Sequence, residues 1–381
     1  MRQLATRCVA VMALACLVIA GPARAASSQC EIWPEWQRFK QFYLSADGRV
    51  IDASTARGIT VSEGQSYALM FALIANDPKA FANVLQWTQN NLAHGDLGRF
   101  LPAWQWGRAD DGTWSVLDAN SASDADLWVA YALIQAGALW HEPSYEALGE
   151  ALAARILREE VALIPGLGLA LLPGPKGFVD NQTWRLNPSY VPIQLLRAIE
   201  RHSRNKLWGQ VLDSSQRLIV ASAPHGAASD WLDYRVTDGF IPDAATQGIG
   251  SYDAIRVYLW AGSLPKSDPL FKPFSHQFAP MLAQATQRLG MPESIDPKSL
   301  TAHGEGHAGF LAALLPLLLQ TEAGDTAHKF RGRVDAQALQ NDQHYYSDVL
   351  SLFGIGWMDD RYRFDRAGDL RPQWNTPCAA R

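Results

Sequence analysis

The chain has little cysteine, little clustered positive charge and almost no strict alternation of apolar and polar residues. Of its four cysteines, Cys8 and Cys16 fall in a leader-like segment, and Cys30 and Cys378 stand near the two ends of the remaining chain. That count excludes a framework of several disulfides, and no Cys and His spacing matches a structural metal site. Cys30 and Cys378 either form one bridge, worth on the order of 4 kcal/mol in chain-entropy terms for so long a loop, or stay as two unpaired thiols. Grouped Lys and Arg are missing and the formal charge is −5, so no nucleic-acid partner is expected, because phosphate binding draws its affinity from such groups. After the leader, no segment approaches the roughly 18 uninterrupted apolar residues that a membrane helix needs.

The leader itself is legible. Arg2 and Arg7 precede an apolar run from Cys8 to Ala20, and Ala23-Arg24-Ala25 offers small residues where a signal peptidase reads. Residues 1–25 are therefore expected to be a secretory signal, and the mature chain, 26–381, to be soluble and exported. Loss of Arg2, Arg7 and Arg24 takes the formal charge from −5 to −8. With 48% hydrophobic residues and 14 Trp, the chain can bury a large core and still leave aromatic faces for sugar rings to stack on. Most Trp serve as core, since their large apolar bodies gain most from burial.

Apolar residues recur at helical spacing nearly everywhere, as in Tyr67, Met70, Phe71 and Ile74. Gly, Pro, Asn and Asp divide the chain into about a dozen helical segments near 33–43, 63–75, 78–93, 123–140, 143–159, 189–202, 204–221, 249–262, 270–289, 304–320, 326–340 and 346–358. Long polar connections at 94–122, 163–188 and 222–248 alternate with short ones. The reading is an all-α single domain, without linker or low-complexity stretch. Six helix pairs can close into a toroid whose long loops shape a groove at one end.

Three acidic stations lie at helix starts. In Val61-Ser62-Glu63-Gly64-Gln65-Ser66-Tyr67, Ser62 and Gln65 match a capping box and place Glu63 in the first turn. There it is either a dipole-stabilised glutamate or a carboxyl kept protonated by an apolar setting to act as general acid. In Ala122-Ser123-Asp124-Ala125-Asp126, positions i and i+2 point in different directions. Asp124 is expected to face the groove and Asp126 to be a cap or structural partner. In Gly250-Ser251-Tyr252-Asp253-Ala254-Ile255-Arg256, Asp253 and Arg256 share a helix face. They form either a surface ion pair or a site in which Tyr252 and Arg256 hold the geometry.

These segments resemble the glycoside hydrolases of family 8. The signature is carried by Ala122 to Asp126 with Ala130, Ala132, Leu133, Ile134, Ala136 and Trp140, and Val129 departs mildly from it. Ser62-Glu63-Gly64 and Ser251-Tyr252-Asp253-Ala254-x-Arg256 match the family pattern in the same order. The resemblance implies an (α/α)6 barrel, with Glu63 as proton donor, Asp253 as general base and Asp124 as a residue holding the sugar beside the scissile bond. Arg256 and Tyr190 are implied to assist. It also implies inverting hydrolysis of β-1,4-glucan, with the two catalytic carboxyls roughly 6.5–9.5 Å apart, and this chemistry calls for no cofactor and no metal. Within the family, Val61 to Leu69, Asp253 to Trp260 and the compact chain resemble periplasmic cellulases that accompany bacterial cellulose synthase, which implies that machinery as a partner. Xylan, mixed-linkage glucan and chitosan stay open as alternative polymers, as does a non-catalytic glucan-binding role. Trp104, Trp106 and Trp184, in the long loops, are the candidate stacking platforms.

Overall fold

The structure is a computed structural model that describes residues 32–54, 56–338 and 344–375. The leader, Cys30 and Cys378 lie outside these residues. Thirteen α-helices form among the described residues: α1 (Pro34–Tyr43), α2 (Ser62–Ile74), α3 (Pro78–Leu92), α4 (Ser123–Trp140), α5 (Pro143–Glu159), α6 (Ile193–Ser203), α7 (Leu207–Ser222), α8 (Ala254–Ser263), α9 (Phe271–Gln277), α10 (Ala279–Arg288), α11 (Ala308–Gln320), α12 (Gly324–Ala338) and α13 (Tyr345–Met358).

Burial sorts them into two rings. Helices α2, α4, α8, α11 and α13 are apolar and buried almost all round, which is the pattern of a helix enclosed by others. Helix α6 belongs with them and keeps one polar stripe. Each packs on the next, α2 on α4, α4 on α6, α6 on α8, α8 on α11 and α11 on α13. The ring closes where Phe353 of α13 meets Tyr67 and Phe71 of α2, at 5.3 and 4.7 Å between ring centroids. Outside it, α3 covers α2, α5 covers α4, α7 covers α6, α9 covers α8, α12 covers α11 and α1 covers α13. This is the expected (α/α)6 barrel. Its axis is filled by aromatic rings: Trp128 lies 5.1 Å from Trp260 and 5.4 Å from Phe353, and Trp260 lies 5.1 Å from Phe353. The rings need close helices. Gly149 of α5 provides one such approach, since a Cβ there would sit 2.8 Å from the Ala130 carbonyl of α4.

Several boundaries differ from the sequence reading. The segment 270–289 is two helices, broken at Phe278 ahead of Pro280, which has no N–H to continue the ladder. The segment 189–202 divides into a 3-10 turn at Pro188–Tyr190 and α6. Helix α8 begins at Ala254, because 249–253 forms a turn in which Gly250 bridges to Ile295. The long loops also carry short antiparallel sheets. One pairs Thr60–Val61, Gln105–Arg108 and Trp114–Asp118, and another pairs Val179–Asp180, Thr183–Leu186, Leu232–Arg235 and Gly239–Pro242. Strands of two to five residues are too short to show an alternation. Among the described residues, no helix is long and apolar enough to cross a membrane.

The capping box at Ser62 and Gln65 does not form. Gln65 is fully buried and is spent elsewhere: its Oε1 accepts the Val50 N–H at 2.6 Å, while its Nε2 donates to the Gly48 carbonyl at 3.1 Å and to Thr88 Oγ1 at 2.9 Å. It thereby staples α2 to the 45–50 turn and to α3. Buried amide groups must be satisfied, and this demand outweighs a solvent-facing cap.

Asp126, by contrast, is structural as expected. It and Glu160, at the end of α5, are both fully buried. Among the described residues, neither Asp126 oxygen nor Glu160 Oε2 has a hydrogen-bond partner other than the facing carboxyl. Two carboxyls bond only through a proton. Burial, and then each other's charge, hold Asp126 well above the carboxylate range, and burial holds Glu160 up to about 8. Ser121 Oγ donates to Glu160 Oε1 at 2.5 Å and completes the latch between α4, α5 and the 121–123 turn. The folded chain thus keeps a proton that the unfolded chain has released, so stability falls as pH rises from about 4 towards 8. Asp126→Asn, whose amide replaces the shared proton, should be more stable than wild type at pH 8 by on the order of 1–3 kcal/mol, with the gap closing at pH 4. Denaturant midpoints at both pH values check this, and an equal loss of stability at both would contradict the shared proton.

Candidate active site

The inner helices start at one end of the barrel, and the site residues stand at those starts. Glu63 is in the first turn of α2, Asp124 in that of α4, Ser189 and Tyr190 just ahead of α6, Asp253 at the cap of α8, His307 at the cap of α11, and Tyr346 in the first turn of α13. All three acidic stations therefore meet, although they are far apart in sequence.

Arg256 is the centre of the cluster. Only 7% exposed, its Nη2 donates to Asp253 Oδ1 at 2.8 Å and to Ser189 Oγ at 2.9 Å, and lies 3.7 Å from Asp124 Oδ2. The guanidinium carbon is 5.7 Å from the Tyr190 ring centre. The ion pair of Asp253 and Arg256 is thus not a surface pair, and Asp253 keeps 24% side-chain exposure towards the groove.

The carboxyls differ in environment. Burial raises Glu63, against the opposing pull of its own backbone N–H, the Arg256 charge, the Trp104 indole and Ser62. Trp104 Nε1 donates to Glu63 Oε1 at 3.1 Å and the Ser62 hydroxyl to Oε2 at 3.3 Å. Gly64 allows the Tyr345 hydroxyl to lie where a side chain would otherwise stand. Asp124, 1% exposed, accepts the Ala125 N–H at 2.8 Å. Its carboxyl is held up to about 8 by burial and then by the Glu63 charge.

Of the candidate platforms, Trp104 is 37% exposed and touches Glu63. Trp106 stacks on Trp114 at 5.3 Å with the Arg49 guanidinium 4.3 Å from its ring centre, so the outer, half-exposed face of that stack belongs to Trp114. Trp184 is paired across the four-stranded sheet with Tyr234 and packs on the core. The ring beside Tyr190 is instead Trp231, at 5.9 Å, braced by Arg185 at 3.9 Å from its centre. Tyr252 is 41% exposed and touches His307 Nε2 at 3.1 Å and Glu293 Oε1 at 3.3 Å, while Tyr346 donates to the Tyr252 carbonyl at 2.6 Å.

Sequence reasoning missed Trp231, Tyr346, His307 and Asp230. The last accepts three backbone N–H groups at the start of α8, and burial with the Asp253 charge holds it up to about 6. It lies in the 222–248 connection, where no helical period drew attention to it. Among the described residues, no three His, Cys, Asp or Glu side chains gather as a metal ion would require.

The family model for Glycosyl hydrolases family 8 matches residues 1–360. Similar proteins include an endoglucanase of Escherichia coli (strain K12), 47% identical over 348 residues that cover 91% of this chain and 93% of that protein. An endoglucanase of Xanthomonas axonopodis pv. citri (strain 306) is 45% identical over 367 residues, 94% of each. The crystal structure of an endo-1,4-D-glucanase from Vibrio fischeri ES114 superposes with a TM-score of 0.88 at 44% identity, over 91% of this chain and 100% of that one. A cold-adapted family 8 xylanase, at 18% identity and a TM-score of 0.62 over 82% of this chain and 84% of that one, shares the fold. With its three acidic motifs gathered at one mouth of an (α/α)6 barrel and these relatives matched along nearly its whole length, the chain belongs to family 8 of the glycoside hydrolases.

Proposed function

We propose that this protein is an inverting endo-β-1,4-glucanase, exported to the periplasm, that cuts cellulose-type glucan beside a cellulose synthase. The endoglucanase names of its relatives support the substrate. The leader-like residues 1–25 support export, and the resemblance of Val61–Leu69 and Asp253–Trp260 supports the cellulose-synthesis setting.

The observation that carries the reaction is the division of labour around Arg256. Glu63, raised by burial, keeps a proton to give to the departing glycosidic oxygen. Asp253, bonded to Arg256, takes a proton from the water that attacks the anomeric carbon from the other face of the ring. Two carboxyls in such unlike settings suit the acid and the base of one displacement. Asp124 holds hydroxyls of the sugar next to the bond being cut, with Tyr190 and Arg256 beside it. Trp104 supplies an apolar face for the sugar and a donor that lowers the Glu63 pKa against the effect of burial.

Glu63→Gln keeps the shape and the capacity to hydrogen-bond but has no proton to give. Reducing-sugar release from carboxymethylcellulose should fall by about 10²–10⁴-fold, while cello-oligosaccharide binding by calorimetry stays close to wild type. Turnover near the wild-type rate would remove Glu63 from the role, and a wild-type protein that binds glucan without releasing sugar would leave only a binding function.

Trp104→Phe keeps a ring and loses the indole N–H. That donor favours the ionised acid, so its loss should raise the Glu63 pKa and move the alkaline limb of kcat/KM to higher pH, with KM changed only modestly. An unmoved or lowered limb would show that the indole does not tune the acid.

A further inference from the structure

Asp253 occupies the cap position of α8, where an aspartate ordinarily spends its carboxylate on the N–H groups of the first turn. Here those donors are already taken. Asp230 Oδ1 accepts from Ser251 N–H at 2.7 Å, Asp253 N–H at 3.1 Å and Ala254 N–H at 2.7 Å. Ile255 N–H goes to the Ser251 carbonyl at 3.2 Å and Arg256 N–H to the Asp253 carbonyl at 3.0 Å. The Asp253 side chain turns the other way, to Arg256.

Asp230 is itself fixed. Its N–H donates to the Ile249 carbonyl at 3.0 Å, the Ser229 N–H donates to the Ser222 carbonyl at 2.9 Å, and Gly250 is pressed so closely on the Ala228 carbonyl that no Cβ fits there. Tyr346, bonded to the Tyr252 carbonyl at 2.6 Å, holds the same turn from α13.

We propose that Asp230 is a positioning residue that caps α8 in place of Asp253 and so leaves the Asp253 carboxylate free for the attacking water. The proposal rests on the reading of Asp253 as the base. Asp230 acts through the backbone of the turn. Without it, the N–H groups of Ser251, Asp253 and Ala254 lose their acceptor, and the turn that aims the Asp253 carboxylate at Arg256 is no longer held.

The test compares wild type, Asp253→Asn, Asp230→Asn and Asp230→Ala on carboxymethylcellulose, with unfolding midpoints for each. Asp230→Ala removes the acceptor and should lower kcat by about 10²-fold, the scale of a misplaced reacting group, with KM within about twofold of wild type. Asp230→Asn retains an Oδ1 acceptor and should recover most of that loss. Asp230→Leu, which fills similar space without an acceptor, stands in if Asp230→Ala does not fold. Turnover in the acceptor-free variant within twofold of wild type, or an Asn variant as slow as the Ala one at unchanged stability, overturns the proposal. If wild type is active and Asp253→Asn is not, either result sinks this inference alone. An active Asp253→Asn, or a wild type that releases no sugar, removes the functional reading beneath it.

Discussion

A guanidinium buried to 7% exposure has to find its compensation on the spot, and the mouth of this barrel is arranged around that demand at Arg256. Asp253, Ser189 and Asp124 answer it from three different inner helices or the turns before them, and Tyr190 lies over it. Such a pair is weak evidence for stability, because desolvation offsets most of the Coulombic gain. What it fixes is geometry. One carboxylate is bound to the cation and kept at the groove, while Glu63 is lifted by burial against a weaker pull from the same charge. The two carboxyls are given different properties by one buried cation and one buried pocket.

The barrel supplies the rigidity this requires. Helices enclosed on all sides carry Tyr67, Trp128, Trp260 and Phe353 into one aromatic plug on the axis, directly below the mouth. Trp260 also donates to the Ser189 carbonyl at 3.1 Å, which ties the plug to the turn that receives Arg256. Rings packed edge to face or tilted against one another leave few alternative arrangements. Behind Asp124, the buried Asp126 and Glu160 pair adds a latch closed by a proton in place of two buried charges.

Much of this was legible in the sequence because it depends on period and local order. Twelve helical segments, three acidic starts and the shared face of Asp253 and Arg256 are read from spacing alone, and the family motifs tie them to one reaction. Other features depend on tertiary demand, which spacing does not encode. Gln65 abandons a cap because a buried turn needs its amide. Trp184 and Trp231 both sit in long connections, and only strand pairing, which turns Trp184 towards Tyr234, decides that Trp231 stands beside Tyr190. Asp230 looks like any loop aspartate until the turn at 249–254 is folded onto it.

In the proposed reaction, water attacks from the side of Asp253 while Glu63 protonates from the opposite side, which fixes the configuration of the new reducing end. Proton NMR of cello-oligosaccharide hydrolysis, recorded before mutarotation, reads that configuration directly. The α-anomer should appear first, with the β-anomer growing in later. Initial release of the β-anomer would mean a covalent glycosyl intermediate and would contradict the proposed reaction.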